Sequence, residues 1–232
     1  MHYAPVIECQ QVCKTFADGD SVIKAVDQLD LQVFSGEFIC LYGASGSGKT
    51  TLLNMIGGLD RPCSGEVFLD KHPLSHYSDD TLTDVRLHKI GFIFQSYNLI
   101  PVFTALENVA FIMQMQGVDS KIALSKSQAI LQKVGLGEML NRRPSELSGG
   151  QQQRVAIARA IVAEPKIVLA DEPTANLDSK NSEQLLELMH ELNRDLGMTF
   201  IISSHDPQVI EAAERRIELA DGKIIHDDSI QN

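Results

Sequence analysis

The segment from Gly43 to Thr50 has the residue types and spacing that hold the phosphate groups of a nucleotide. Its sequence, Gly-Ala-Ser-Gly-Ser-Gly-Lys-Thr, fits the pattern Gly-x-x-x-x-Gly-Lys-Ser/Thr without a mismatch. Glycines let the backbone turn so that successive N–H groups face an anion, and the helix N-terminus behind them adds a favourable field. We expect Lys49 to reach the β- and γ-phosphates and the Thr50 hydroxyl to ligate Mg²⁺. The candidate phosphate-binding residues are Gly43, Ala44, Ser45, Gly46, Ser47, Gly48, Lys49, Thr50 and Thr51.

Two carboxylates follow an apolar segment much later in the chain. Residues 167–170 are Ile-Val-Leu-Ala, and Asp171 and Glu172 come directly after them. Ligands of open α/β sheets bind at the carboxyl ends of the strands. We expect Asp171 to hold Mg²⁺ through water, and Glu172 to act as the general base on an attacking water, a role worth roughly 10²- to 10⁴-fold in rate. Solvated acids at a strand end are the alternative.

A second anion-binding helix start follows Leu147. Ser148 and two glycines open a helix, which leaves free N–H groups and a hydroxyl facing outward. A single ATP has one γ-phosphate, already held by Lys49, so we predict a head-to-tail dimer in which this segment closes on the partner's ATP. An ordinary capping box is the alternative, but it does not explain the paired glycines. The contacts expected from this segment are Ser148, Gly149, Gly150 and Gln151.

The elements that must position these residues alternate between strands and helices. An apolar strand at 38–42 precedes the phosphate loop and a helix follows it. The alternative, a glycine-rich turn without a ligand, does not explain Lys-Thr at the end of the loop. Further strand and helix patterns cover 167–170, 179–196, 199–203 and the hairpin at 217–225. Residues 6–12 and 22–33 alternate like antiparallel strands, and 104–163 contains helical patterns only.

These patterns predict the fold class and the domain organisation. We expect an α/β phosphate-loop NTPase core with a mostly parallel sheet, an N-terminal antiparallel β subdomain and an inserted α-helical subdomain. Residues 1–232 form one domain, with the helical subdomain at about 97–163. The 232 residues carry a formal net charge of −11, which argues against a nucleic-acid partner. We also expect four reduced thiols, no secretory leader and no spanning helix, so that any membrane role comes through a partner.

Here the chain resembles the ATP-binding-cassette ATPases over nearly its full length. The resemblance rests on the phosphate loop, the acidic pair, the Leu-Ser-Gly-Gly-Gln segment, Gln95 after a strand, Asp178 after the acidic pair and His205 after the last core strand. It implies that Gln95 senses Mg²⁺ and the attacking water, and that His205 contacts the γ-phosphate. His205 alone would be a capped loop histidine. Phe16 matches the position where the family stacks an aromatic ring on adenine, although a core phenylalanine is the competing interpretation.

The resemblance therefore gives a full set of expected roles. The catalytic residues are Glu172, His205, Gln95 and Lys49, and the Mg²⁺ residues are Thr50, Gln95 and Asp171. Within the family, residues 45–60, 90–101 and 104–109 resemble the stand-alone ATPase subunits of the lipoprotein-releasing and macrolide-exporter subfamily. One departure is Ala175, where that subfamily commonly has glycine; its methyl group leaves every polar role intact.

The subfamily implies an ATPase that uses ATP and Mg²⁺ and forms a homodimer with ATP. It implies a membrane-spanning permease bound through the groove from Gln95 to Glu107, and a peripheral location on the cytoplasmic side of the bacterial inner membrane. The expected work is lipoprotein release or macrolide or peptide export.

Three rival functions remain open at this point. A cell-division ATPase with a similar membrane partner would give filamentation on deletion, instead of lipoprotein mislocalisation or drug sensitivity. A soluble cassette acting on DNA or ribosomes would carry coiled-coil insertions or two cassettes, and a metabolic phosphate-loop kinase would lack residues 147–151.

Overall fold

The computed structural model describes residues 4–19 and 21–228, which form two β-sheets and seven α-helices. The strands are β1 (Ile7–Asp18), β2 (Ser21–Val33), β3 (Phe38–Tyr42), β4 (Ser64–Leu69), β5 (His72–Pro73), β6 (Ile90–Ile93), β7 (Ile167–Asp171), β8 (Phe200–Ser203), β9 (Arg215–Ala220) and β10 (Lys223–Asp227). The helices are α1 (Lys49–Ile56), α2 (Asp79–Lys89), α3 (Ala105–Met115), α4 (Ser120–Lys133), α5 (Gly149–Ile161), α6 (Ser179–Leu196) and α7 (Pro207–Ala212).

The larger sheet has the order β10-β9-β3-β8-β7-β6. The strands from β9 to β6 run parallel, and β10 is antiparallel to β9. Apolar side chains cover both of its faces, because Phe38 and Cys40 pack toward α3–α6 while Ile39 and Leu41 pack toward α1 and the smaller sheet. Burial on both faces explains why these strands are nearly continuous apolar runs. The carboxyl ends of β3, β8, β7 and β6 lie side by side at one edge.

The smaller sheet is antiparallel with the order β2-β1-β4-β5. Its first strand is longer than the sequence predicted, since β1 continues past Val12 to Asp18. The register shifts around Val12, and Gln11 and Gln28 have positive φ of 48° and 49°. These bulges interrupt the alternation of apolar residues, which hid the second half of the strand from the sequence pattern.

Helices α3, α4 and α5, called here the helical layer, lie between β6 and β7 in the chain, as predicted. Thr104 and Glu107 form a capping box at α3, and Ser148 and Gln151 form one at α5. The predicted α/β fold class is therefore confirmed, whereas the division into a core and an inserted subdomain at about 97–163 stays a prediction. Among the described residues, no helix combines the length and apolarity that crossing a membrane requires.

Candidate nucleotide-binding site

The phosphate loop, residues 43–50, connects β3 to α1 and is pressed against neighbouring backbone. A Cβ on Gly43 would lie 2.1 Å from the Leu219 carbonyl oxygen, and a Cβ on Gly48 would lie 2.1 Å from that of Ala25. Both glycines also have positive φ, of 145° and 104°, so glycine is required here by conformation and by space. The N-cap residue of α1 is Gly48, which has no side chain to accept a hydrogen bond. The first N–H groups of the helix can therefore donate to a bound anion.

Lys49 is buried and its ammonium group turns back on its own loop. Its Nζ donates to the carbonyl oxygens of Gly43, at 2.8 Å, and Ala44, at 3.0 Å. The Ser47 hydroxyl is buried and has no hydrogen-bond partner in the described part of the chain. A buried hydroxyl without a partner is unfavourable. A loop with an inward cation, an orphaned hydroxyl and free helix N–H groups fits a bound phosphate chain.

Hydroxyl and carboxylate oxygens meet beside this loop, at the ends of β7 and β8. The Thr50 hydroxyl lies 3.0 and 3.3 Å from the two carboxylate oxygens of Asp171. The Ser203 hydroxyl donates to the same carboxylate, because Asp171 and Ser203 pair in the parallel register. Oxygen ligands of these two kinds are those that Mg²⁺ prefers in nucleotide sites. Thr50 and Asp171 are thus brought together as predicted, and their chemistry fits the ion.

Glu172 has a different set of contacts from its neighbour in sequence. One of its carboxylate oxygens lies 2.8 Å from His205 Nδ1, and the other accepts a hydrogen bond from the Ser204 hydroxyl at 3.3 Å. The residue has a left-handed φ of 46°, and its N–H donates to the Ser203 carbonyl at 3.0 Å. A non-glycine residue in this region costs about 1–2 kcal/mol. The backbone thus turns Glu172 away from Asp171, and the two carboxylates serve different partners.

A cysteine lies behind this edge, in the middle of β3. Burial raises the pKa of Cys40 from 9.0 to about 12, and the negative charge of Glu172 contributes to this rise. Cys40 therefore stays a neutral thiol at ordinary pH.

The second predicted anion site consists of residues 148–151 and is called here the signature segment. No hydrogen bond joins the two segments within residues 4–19 and 21–228, and Ser148 is exposed. Close packing within the chain is one reason for the paired glycines. A Cβ on Gly149 would lie 2.9 Å from the Tyr97 hydroxyl oxygen, and a Cβ on Gly150 would lie 3.3 Å from Asn181 Oδ1. The segment therefore has the capping box of the alternative interpretation and also the exposed helix start that an anion site requires.

Gln95 and Phe16 lie on the surface. Gln95 follows β6, whose last residue pairs with Ala170, so it lies next to the carboxylate strand. Its carbonyl accepts a hydrogen bond from Asn176 Nδ2 at 2.8 Å. Phe16 is 45% exposed, so it is not a core phenylalanine, which was the competing interpretation. Lys14 Nζ lies 5.4 Å from its ring centroid. An open aromatic face of this kind suits stacking on a planar base.

Several residues at the site were missed by the sequence analysis. Ser203 and Ser204 received no role from the sequence, yet their hydroxyls hold Asp171 and Glu172. Arg159 received no role either. The one available signal was the pair of serines at the end of an apolar strand, where polar side chains must face a site or solvent.

An apolar groove lies beside the helical layer. It is a cavity of about 470 Å³ between β6, α2, α3 and α5. It includes part of the predicted partner surface, through Asn98 and Ile100. Its apolar lining consists mainly of Leu59, Leu87, Ile90, Phe92, Phe94, Phe111 and Ile112.

A glycine-rich loop on a helix N-terminus, with a hydroxyl, two carboxylates and a histidine at the edge of a parallel sheet, defines a phosphate-loop nucleotide hydrolase. The family described as ABC transporter matches residues 26–175. The chain belongs to this family, as an ATP-binding subunit of the LolD/MacB subfamily, and it is an ATPase.

Individual relatives support this assignment. The chain is 43% identical to the lipoprotein-releasing system ATP-binding protein LolD of Shewanella oneidensis, over 97% of this chain and 98% of that protein. It is 44% identical to the macrolide export ATP-binding/permease protein MacB of Brucella melitensis, over 97% of this chain but 34% of that protein. A solved dimeric structure of the ATP-binding cassette MJ0796, bound to ADP and Pi, matches with a TM-score of 0.89 and 40% identity, covering 97% of this chain and 99% of that one.

Proposed function

We propose that two copies of this chain bind two ATP molecules between them, head to tail, and that hydrolysis drives a separate membrane-spanning partner. The observation that carries the proposal is that one chain does not join its two half-sites. The phosphate loop and carboxylates are assembled within one chain, while the exposed signature segment has no hydrogen bond to them within residues 4–19 and 21–228. The similarity to the MJ0796 cassette, whose solved structures are dimeric, supports a second copy as its partner.

In each site the chain's own residues bind the triphosphate. The N–H groups of residues 44–50 and the Lys49 ammonium face its oxygens, and the cation exchanges its two loop carbonyls for phosphate. Thr50 and Asp171 would hold Mg²⁺, with Gln95 approaching from β6. When bound, Mg²⁺ neutralises charge on the β- and γ-phosphates. Phe16 stacks on the adenine, and Ser148 and Gly149 of the second copy cover the γ-phosphate.

Hydrolysis depends on the second carboxylate. Glu172 accepts a proton from water as the water oxygen forms a bond to the γ-phosphorus and the bond to the β,γ-bridging oxygen breaks. The products are ADP and inorganic phosphate. His205, 2.8 Å from Glu172, and the Ser204 hydroxyl hold the carboxylate in line with that water. Loss of the γ-phosphate removes the bridge between the copies, which then separate.

The apolar groove is the proposed contact with the membrane partner. Its aromatic and aliphatic lining fits a short apolar helix from a permease, and the chain would then lie peripherally on the cytoplasmic side of the bacterial inner membrane. The relatives named for lipoprotein release and macrolide export make these the proposed kinds of work.

Two measurements test this function. Turnover per molecule should rise with protein concentration and then saturate, because one copy cannot complete a site. A concentration-independent turnover would overturn the dimer. For the partner, Ile112→Glu in the groove should abolish co-purification with an integral membrane protein, while Ile122→Glu, on exposed α4 surface, should retain it. Equal retention by both variants would contradict the groove assignment.

A further inference from the structure

Arg159, in the last turn of α5, lies at the wall of the apolar groove and binds a loop. Its Nη1 donates to the Asn98 carbonyl at 2.6 Å and its Nη2 to the Tyr97 carbonyl at 2.9 Å. Within the described residues it has no carboxylate partner, and burial lowers its pKa. Arginine nevertheless stays charged in proteins, so this partly buried cation depends on the two backbone carbonyls.

The gripped loop has an unfavourable backbone. Tyr97 and Asn98 are consecutive non-glycine residues with φ of 60° and 49°. Two such residues in sequence need outside support, and the Arg159 guanidinium provides it by binding both carbonyls. In this conformation the Tyr97 hydroxyl reaches the start of α5, where it lies 2.9 Å from the position of a Cβ on Gly149. The loop therefore touches α5 at two places.

The same loop is connected to the site on its other side. The carbonyl of Gln95 accepts a hydrogen bond from Asn176, in the segment that follows Glu172. Asn98 and Ile100 line the groove, so a group that fills the groove contacts this loop. Arg159 and Gly149 belong to one continuous helix, so the loop and the helix start are connected through α5.

We infer that Arg159 is a positioning residue, which joins the loop at 97–98 to α5 so that the signature segment is held where a second copy's ATP can meet it. The inference deepens the proposed function and rests on it. Arg159 makes no contact with nucleotide in this account. Its effect should appear in the assembly of the two copies, and not in the affinity of a single copy for ATP.

Arg154 offers a matched control on the same helix. It is half-buried like Arg159, and its Nη1 donates to the Val134 carbonyl at 3.0 Å, inside the helical layer. Replacing either arginine by Met removes a charged donor and leaves a long side chain. Only Arg159→Met also releases the loop at 97–98.

The experiment measures ATP-driven dimerisation by analytical ultracentrifugation in a Glu172→Gln background. Arg159→Met should weaken the dimer by about tenfold or more, a typical size for coupling between sites, while Arg154→Met should leave it unchanged. Both variants should bind a fluorescent ATP analogue as monomers with the parent affinity, and both should lower the melting temperature. Arg159→Lys, which keeps the charge but not the two-pronged grip, should dimerise with intermediate affinity.

The outcomes separate the inference from the proposed function. If the Glu172→Gln parent stays monomeric with ATP, the head-to-tail proposal is wrong and the inference falls with it. If the parent dimerises and Arg159→Met dimerises equally well, only the inference is overturned. Should Arg159→Met fail to fold, Arg159→Lys decides the matter, and a dimer as tight as the parent's would overturn the inference.

Discussion

The edge of the large sheet and the start of α5 both offer groups for a phosphate, but they are held very differently. At the sheet edge, Asp171 and Glu172 each have hydroxyl or imidazole partners from β8 and the loop after it, and apolar core lies directly behind them. At α5, Ser148 is exposed and its partner is within its own capping box. The first region is organised by one chain, whereas the second is completed, in the proposed dimer, only by the ATP bound to a second copy.

The contrast shows how the family's activity can depend on assembly. A site that is complete in one copy would hydrolyse ATP without a partner, because the base, the cation and the loop are already present. In the proposed dimer, another copy supplies one wall of the site, which makes turnover conditional on closure.

The largest effect should come from the sheet edge. Glu172→Gln removes the general base and should lower kcat by about 10²- to 10⁴-fold, while ATP binding and the ATP-dependent dimer persist. Phosphate release and sedimentation measure the two quantities. Glu183→Gln, on the exposed face of α6, is the control and should keep parent turnover. Substantial hydrolysis by Glu172→Gln would remove Glu172 from the mechanism.

The next effect should come from the α5 start. Ser148→Arg places a bulky cation where the second copy must close, and should lower kcat by about 10²-fold, although Ser148 has no hydrogen bond to its own phosphate loop. ATP affinity of the monomer should not change. Ser125→Arg adds the same charge on exposed α4 and should have no effect. Parent-like turnover by Ser148→Arg would mean that each copy works alone.

A smaller effect should separate the two serines behind the carboxylates. Ser203→Ala loses the hydroxyl that orients Asp171, so the Mg²⁺ concentration for half-maximal turnover should rise by about tenfold. Ser204→Ala loses the bond to Glu172 and should lower kcat without changing the Mg²⁺ requirement. Titrations of turnover against Mg²⁺ distinguish them. Identical Mg²⁺ curves for both variants would contradict separate roles for the two carboxylates.

The last effect is on stability at alkaline pH, not on activity, and it comes from two buried cysteines of the sheets. Burial raises the pKa values of Cys9 and Cys40 from 9.0 to about 12. Between these values the thiols ionise only in the unfolded chain, which then binds fewer protons than the folded state. The free energy of unfolding should therefore fall as pH rises through this window, by about 1.4 kcal/mol per pH unit for each thiol.

Urea unfolding at several pH values between about 8 and 11 measures this slope. Cys40→Ala should make the slope shallower, since it removes one buried thiol, whereas Cys63→Ser should not make it shallower, because hydrogen bonds with Thr15 lower the pKa of this exposed thiol. A slope that is insensitive to Cys40→Ala would show that this thiol is not protected by burial.

Much of this architecture could be predicted because its signals are local. The helix start at Ser148 and the apolar strands at 38–42 and 167–170 are patterns of a few neighbouring residues, and the structure has them as expected. The phosphate loop was equally clear, since its glycines and Lys49 lie within one short segment.

The missed features join residues that are distant in sequence. Ser203 and Asp171 are 32 residues apart, and Arg159 is 62 residues from Tyr97. No periodicity connects such partners, because parallel pairing and helix packing decide which side chains meet. The extension of β1 was hidden for another reason, since the bulges at Gln11 and Gln28 break the alternation on which strand prediction depends.

The most direct test of the shared site is to mix two inactive variants. In a mixed dimer of Glu172→Gln and Ser148→Arg, one site has both defects and the other has an intact Glu172 and an intact Ser148. Mixing should restore about a quarter of the parent turnover. Random pairing makes about half of the dimers mixed, and each mixed dimer has one intact site out of two. A mixture that dimerises with ATP yet stays inactive would contradict the account.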